Sequence, residues 1–214
     1  KIPNLKKLPL YPVLSPIYQS VKKIVNPKKN THPQTIALLY HRVTHLSDDP
    51  FQLAVSIENF KLQMKYLKDD GYTFLHASDL YNNLKEKKTI SRGVAITFDD
   101  GYIDNYENAF PILKDYGIPA TIFIAGTENN DFEFWWDELV YLLIERKAWP
   151  ASFDITTKGK VLSYQIHTEN EAKDILLKLH AELKTMNFSE RESIFLQLYK
   201  IFSIQRKARL EYTH

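Results

Sequence analysis

Apolar positions along the chain fall into short buried runs and longer stripes of helical spacing. Thr35-Ile-Ala-Leu-Leu-Tyr40 is an apolar run of strand length without alternation, as expected for a strand buried on both faces of a parallel sheet. Ser56 is placed to cap a helix from Ile57 to about Asp70, with Ile57, Phe60, Met64 and Leu67 at helical spacing and Gly71 as the stop. Tyr72–His76 reads as a short strand, and Ser78 as the cap of a helix reaching about Lys87. Val94–Phe98 is a second buried strand. A helix from about Asp104 to Tyr116 follows, with Ala109, Ile112, Leu113 and Tyr116 inward, Asp104 and Asn105 capping it and Gly117 ending it. Pro119 introduces the strand Ala120–Ala125. Strands alternating with helices predict a parallel α/β architecture, and this rhythm alone leaves an open doubly wound sheet and a closed barrel undivided.

After Thr127 the rhythm changes. Glu133–Arg146 is aromatic and then helical, and Phe153–Tyr164 predicts a hairpin around Lys158-Gly159. Glu171–Met186 predicts a helix with Ile175, Leu176, Leu179 and Leu183 inward. Ser189-x-x-Glu192 reads as a capping box for one more helix, carrying Ile194, Leu198 and Ile201. Residues 128–214 are therefore expected to form an inserted, mostly helical α+β subdomain. Residues 1–34 are rich in Lys and Pro and read as a linker with a short helix around Ser15–Val25.

Composition narrows the classes. The 214 residues are 44% hydrophobic and 25% charged, which is ordinary globular chemistry and excludes a disordered or collagen-like chain. Apolar runs fall short of the roughly 18 residues that span a bilayer. The absence of cysteine removes disulfides, cysteine nucleophiles and thiolate metal sites. A net charge of +2 argues against a dedicated nucleic-acid binder. No Asp or Glu precedes Asp48, whereas Lys1, Lys6, Lys7, Lys22, Lys23, Lys28, Lys29 and Arg42 do. A solvated lysine-rich face accounts for this, with proximity to a membrane or cell wall as the weaker reading. Residue 1 is Lys rather than Met, so the chain is expected to be processed, cut or a fragment.

The chemistry concentrates in Val94-Ala-Ile-Thr-Phe-Asp-Asp-Gly-Tyr102. A dry strand runs into two adjacent carboxylates and a glycine, at the strand end where parallel α/β folds place their active sites. Two carboxylates there repel, and a divalent metal compensates their charge. One can then bind metal while the other stays a base. The alternative role for the pair is capping the next helix.

Ile96-Thr-Phe-Asp-Asp-Gly-Tyr-x-Asp-Asn-Tyr106, followed by Ala109-Phe-Pro-Ile-Leu-Lys-x-Tyr-Gly-Ile-Pro-Ala-Thr-Ile-Phe-Ile124, resembles the polysaccharide deacetylase family, that is, carbohydrate esterase family 4. Leu39-Tyr-His-Arg-Val43 and Phe134-Trp-Trp-Asp137 share the resemblance, which covers roughly residues 35–145. It implies a distorted (β/α) barrel of seven or eight strands, with residues 35–127 as its N-terminal part. The activity implied is removal of acetyl groups, most often from N-acetylglucosamine units of a polymer or oligosaccharide. Asp99 would be the catalytic base, Asp100 the ligand of a divalent metal, usually zinc, and His41 the general acid. Tyr102 would line the substrate groove. Trp135 and Trp136 would either stack on sugar rings or pack the insertion.

The family's metal histidines follow its Asp-Asp motif. His41-Arg-Val-Thr-His45 has the His-x3-His spacing but precedes the motif, so His45 is expected to be a loop residue. After Asp100 come only His167, His180 and His214, without that spacing, and the first two read as surface residues. The metal-histidine segment is expected beyond His214. Two other classes stand beside the deacetylase: a non-catalytic carbohydrate-binding relative without a complete metal site, and a metal-dependent phosphatase. The phosphatase lacks an Asp-x-Asp or a phosphate-cradling glycine loop.

Overall fold

The computed structural model describes residues 35–88, 90–125 and 133–207. The helix expected around Ser15–Val25 lies outside them. The chain divides into two compact units.

The first unit takes in residues 35–45, Val55–Asp99 and Asn105–Phe123. Its sheet is built on β1 (Ile36–Tyr40), β4 (Thr73–Leu75), β5 (Gly93–Asp100) and β6 (Ala120–Ile124), with two short strands, β2 (Arg42–Val43) and β3 (Ala54–Val55), forming a separate pair. β5 is central. It pairs in parallel with β1 from Ile36↔Val94 to Tyr40↔Phe98, and with β4 from Thr73↔Gly93 to Leu75↔Ala95; β6 pairs with it too. Helices α1 (Ile57–Asp69), α2 (Ala77–Lys85) and α3 (Phe110–Tyr116) connect the strands. Phe60, Met64 and Leu67 of α1 and Ile112 and Leu113 of α3 pack with Val94, Ile96 and Phe98 in one core. The mixed α/β class with a parallel sheet agrees with the strand–helix rhythm.

β1 departs from the expected two-face burial. Its residues alternate, with Ala37 and Leu39 exposed, Leu39 to 57%. Among the described residues β1 has a single strand neighbour, and the core of this unit packs against the face that carries Ile36, Leu38 and Tyr40. Caps shift as well. The Ser56 hydroxyl accepts from the Asn59 N–H at 3.2 Å, as expected. Ser78, by contrast, lies inside α2, whose first residue Ala77 donates its N–H to Thr121 Oγ1 at 3.1 Å. A residue on β6 thus supplies the acceptor that a local cap would have provided. The helix expected from Asp104 begins at Ile103 and passes into a π-helical turn, Asn105–Ala109. Gly117 ends α3 in the left-handed conformation, φ 64°.

The second unit takes in Leu46–Ala54, Asp100–Asp104 and the described residues from Ile124 onward. It contains α4 (Trp135–Val140) running into a π-helical turn (Tyr141–Glu145), the hairpin β7 (Ser152–Thr157) and β8 (Lys160–Gln165), and helices α5 (Glu169–Lys184) and α6 (Phe188–Ile201). Lys158 and Gly159 both have positive φ, 49° and 74°, as a two-residue hairpin turn requires. Leu139, Leu142, Leu143, Ile155, Leu176, Leu179, Phe195 and Leu198 form its core. The last capping box is Asn187-x-x-Glu190 rather than Ser189-x-x-Glu192. Asn187 caps at least as well as serine, and starting α6 at Phe188 leaves Ser189 within the first turn. Thr168 and Glu171 form a second box ahead of α5. No helix among the described residues is long and apolar enough to cross a membrane.

Candidate active site

In the first unit, the parallel register ending at Tyr40↔Phe98 leaves His41 and Asp99 as the next residues along two adjacent strands. Both lie at the C-terminal ends, and both are half-buried. Tyr40 and Phe98 support them from the core side. Tyr40 meets Phe60 edge-on at 5.1 Å and Phe98 at 5.6 Å, and its hydroxyl donates to Gln63 Oε1 at 2.7 Å. Burial pushes the Tyr40 phenol well above its usual range, so it stays a neutral donor. Thr97 Oγ1 donates to Leu38 O at 3.1 Å, a further tie between the two strands. Asn108 Nδ2 donates to Val43 O at 2.8 Å and holds the segment just after His41.

β5 ends in an unusual turn. Asp100 has φ 72° and Gly101 φ 83°, two consecutive left-handed residues. A non-glycine residue there is uncommon, and Asp is among the few that tolerate it. Gly101 is required twice over, since a Cβ would also come within 3.3 Å of Ile124 Cγ1. Backbone strain of this kind clusters at functional sites.

Tyr102 is 1% exposed, within the second unit. Its ring meets Phe134 edge-on at 5.2 Å. Its hydroxyl donates to Asp137 Oδ2 at 2.7 Å and accepts from Trp136 Nε1 at 2.6 Å. No open ring face is left for a sugar among the described residues. Trp136 stacks flat on Phe134 at 4.4 Å, and Trp135 stacks on His180 at 5.1 Å. His180, expected at the surface, is half-buried between Trp135 and Phe51. His45 is exposed and faces Glu58 at 3.0 Å. Asn105, expected to cap the following helix, is 2% exposed, and neither atom of its amide has a hydrogen-bond partner among the described residues.

The polysaccharide deacetylase family model matches residues 86–175, a span that contains the Asp99-Asp100-Gly101 turn. That stretch of the chain is similar to polysaccharide deacetylases. The chain is 42% identical over 90 residues to YxkH of Bacillus subtilis (strain 168), which covers 42% of this chain and 31% of that protein. It is 37% identical over 122 residues to the poly-beta-1,6-N-acetyl-D-glucosamine N-deacetylase of Staphylococcus aureus (strain MSSA476), covering 49% of this chain and 42% of that enzyme. Among solved structures, the deacetylase PplD of Streptococcus pyogenes in complex with acetate is 34% identical, with a TM-score of 0.40, covering 44% of this chain and 43% of that one. The chain thus spans less than half the length of these relatives.

A catalytic zinc takes three protein ligands. Among the described residues, no group of three His, Cys, Asp or Glu is placed to hold a metal ion. A single carboxylate such as that of Asp100 does not make a metal site alone.

Proposed function

We propose that this chain is part of a hydrolase that removes acetyl groups from a polysaccharide or glycan, most often the N-acetyl of N-acetylglucosamine-type units. The observation that carries the reading is the parallel pairing that brings the strand ends leading to Asp99 and His41 side by side, with Asp99 inside residues 86–175 matched by the deacetylase family model. The similarity to a poly-beta-1,6-N-acetyl-D-glucosamine N-deacetylase supports the substrate class. The parallel sheet is taken as a portion of the distorted (β/α) barrel. The exposed apolar residues Leu39, Ile122 and Phe123 are of the kind that further strands would cover.

In this reading Asp99 accepts a proton from water as the water oxygen bonds to the acetyl carbon. The carbonyl oxygen becomes an oxyanion, which hydrogen-bond donors stabilise. His41 gives a proton to the leaving nitrogen as the carbon–nitrogen bond breaks, releasing acetate and a free amine. Asp100 would offer one carboxylate to a divalent metal, zinc by family likeness, which would polarise the acetyl carbonyl. Acetate release from acetylated β-1,6-linked glucosamine oligomers, by protein expressed from its full reading frame and with and without chelator, tests the activity. Metal-independent binding of the oligomer with no acetate release would favour the carbohydrate-binding relative instead.

A further inference from the structure

The left-handed pair Asp100-Gly101 is conformationally costly, and a defined set of contacts in the second unit surrounds it. The Ala125 N–H donates to Asp100 O at 3.1 Å. Ile124 fills the space that a Gly101 Cβ would need. One residue further on, Tyr102 leaves the turn and enters a core of its own with Phe134 and Trp136. There its hydroxyl sits between a donor, Trp136 Nε1, and an acceptor, Asp137 Oδ2. A buried phenol whose donor and acceptor are both engaged has a fixed direction, and its bonds strengthen in low-dielectric surroundings. Trp136 and Asp137 are themselves fixed, since they belong to α4, and Trp136 is stacked flat on Phe134.

We propose that Tyr102 is a positioning residue: its hydroxyl, held by Trp136 and Asp137, anchors the chain two residues after Asp100 and so keeps the Asp100-Gly101 turn left-handed, fixing the direction of the Asp100 carboxylate. A ring that only filled core space would need no hydroxyl, and phenylalanine would serve equally. A ring that bound sugar would need an open face, which this one lacks. The proposal also gives Trp136 and Asp137 one shared task, holding the turn. The catalytic half of the proposal rests on the deacetylase reading; the conformational half does not.

The test compares wild type, Tyr102→Phe and Asp137→Asn, each expressed from the full reading frame. The first readout is amide hydrogen exchange at Ala125, whose N–H reports directly on Asp100. Loss of one buried hydrogen bond predicts about tenfold faster exchange in Tyr102→Phe. The amides of the β7–β8 ladder should be unchanged. Asp137→Asn keeps an acceptor for the hydroxyl and should exchange at nearly the wild-type rate. The second readout is acetate release, where Tyr102→Phe should lower kcat about tenfold and leave KM within about twofold. Unchanged Ala125 exchange in Tyr102→Phe overturns the proposal, whatever the activity. Faster exchange with an intact kcat overturns its catalytic half. Faster exchange in a protein whose wild type releases no acetate supports the anchor and overturns the deacetylase reading. Should Tyr102→Phe not fold, Trp136→Phe removes the donor to the same hydroxyl and carries the same readouts.

Discussion

Replacing Arg206 with methionine should destabilise the second unit far more than an ordinary surface change. Its partner Glu138 is 1% exposed and receives Arg206 Nε at 2.8 Å and Nη2 at 2.7 Å. The Tyr199 hydroxyl donates to the same carboxylate at 3.1 Å. Burial pushes the Glu138 carboxyl above its usual range, while the two arginine donors and the tyrosine favour its ionised form. Removing the guanidinium leaves that carboxylate in a dry site with the Tyr199 hydroxyl as a remaining donor. Breaking a buried pair in this way costs about 3–5 kcal/mol. The second contact of Arg206, to Glu192 at 2.6 Å, adds little because Glu192 is reached by water. The guanidinium also lies 5.4 Å from the Phe195 ring and 5.7 Å from the Tyr199 ring, and methionine keeps part of that packing. At about 2–4 °C per kcal/mol for a chain of this size, calorimetry should record a fall in Tm of at least about 6 °C. Adding Glu138→Gln to the variant removes the stranded charge and should restore at least half of the loss. A cost below about 1 kcal/mol for Arg206→Met alone, or no recovery in the double variant, would refute the reasoning.

Burial, and secondarily Lys184, hold the His180 imidazole below its usual pKa. The unfolded chain then binds more protons than the folded one just below about pH 6.5, so stability falls as the pH drops through that range. Urea midpoints at pH 7.5 and 5.5 should show this fall in wild type and a smaller one in His180→Gln; equal falls would contradict the assignment. Asn187→Ala removes the side chain that accepts the Glu190 N–H at 3.0 Å and should cost about 0.5–2 kcal/mol. Ser189→Ala should stay within about 0.5 kcal/mol in the same denaturation assay.

The strands and helices of the first unit were legible because their apolar spacing is strong and their stops are chemical: Ser56, Gly71 and Gly117 act where the sequence placed them. What failed were local rules overridden by distant partners. Thr121, across the fold, took the role assigned to Ser78. The open face of β1 depends on what covers the sheet, which no run of apolar residues encodes. The turn after Asp99 was readable as a candidate site from its paired carboxylates and glycine. The burial of Tyr102 was not, because its partners Trp136 and Asp137 lie more than thirty positions away in sequence. Their aromatic segment was visible, but nothing in it tied the tryptophan to the tyrosine. The buried amide of Asn105 carried no sequence signal, since Asp-Asn ahead of a helix reads as a cap.

Acetate release from acetylated β-1,6-linked glucosamine oligomers, measured for wild type and Asp99→Asn expressed from the full reading frame, tests the central claim most directly. Asn matches Asp in shape and cannot accept the proton of the attacking water, so turnover should fall by about a hundredfold or more with substrate binding retained. Equal turnover in the two proteins would contradict the role of Asp99 and, with it, the chemistry assigned to the end of β5.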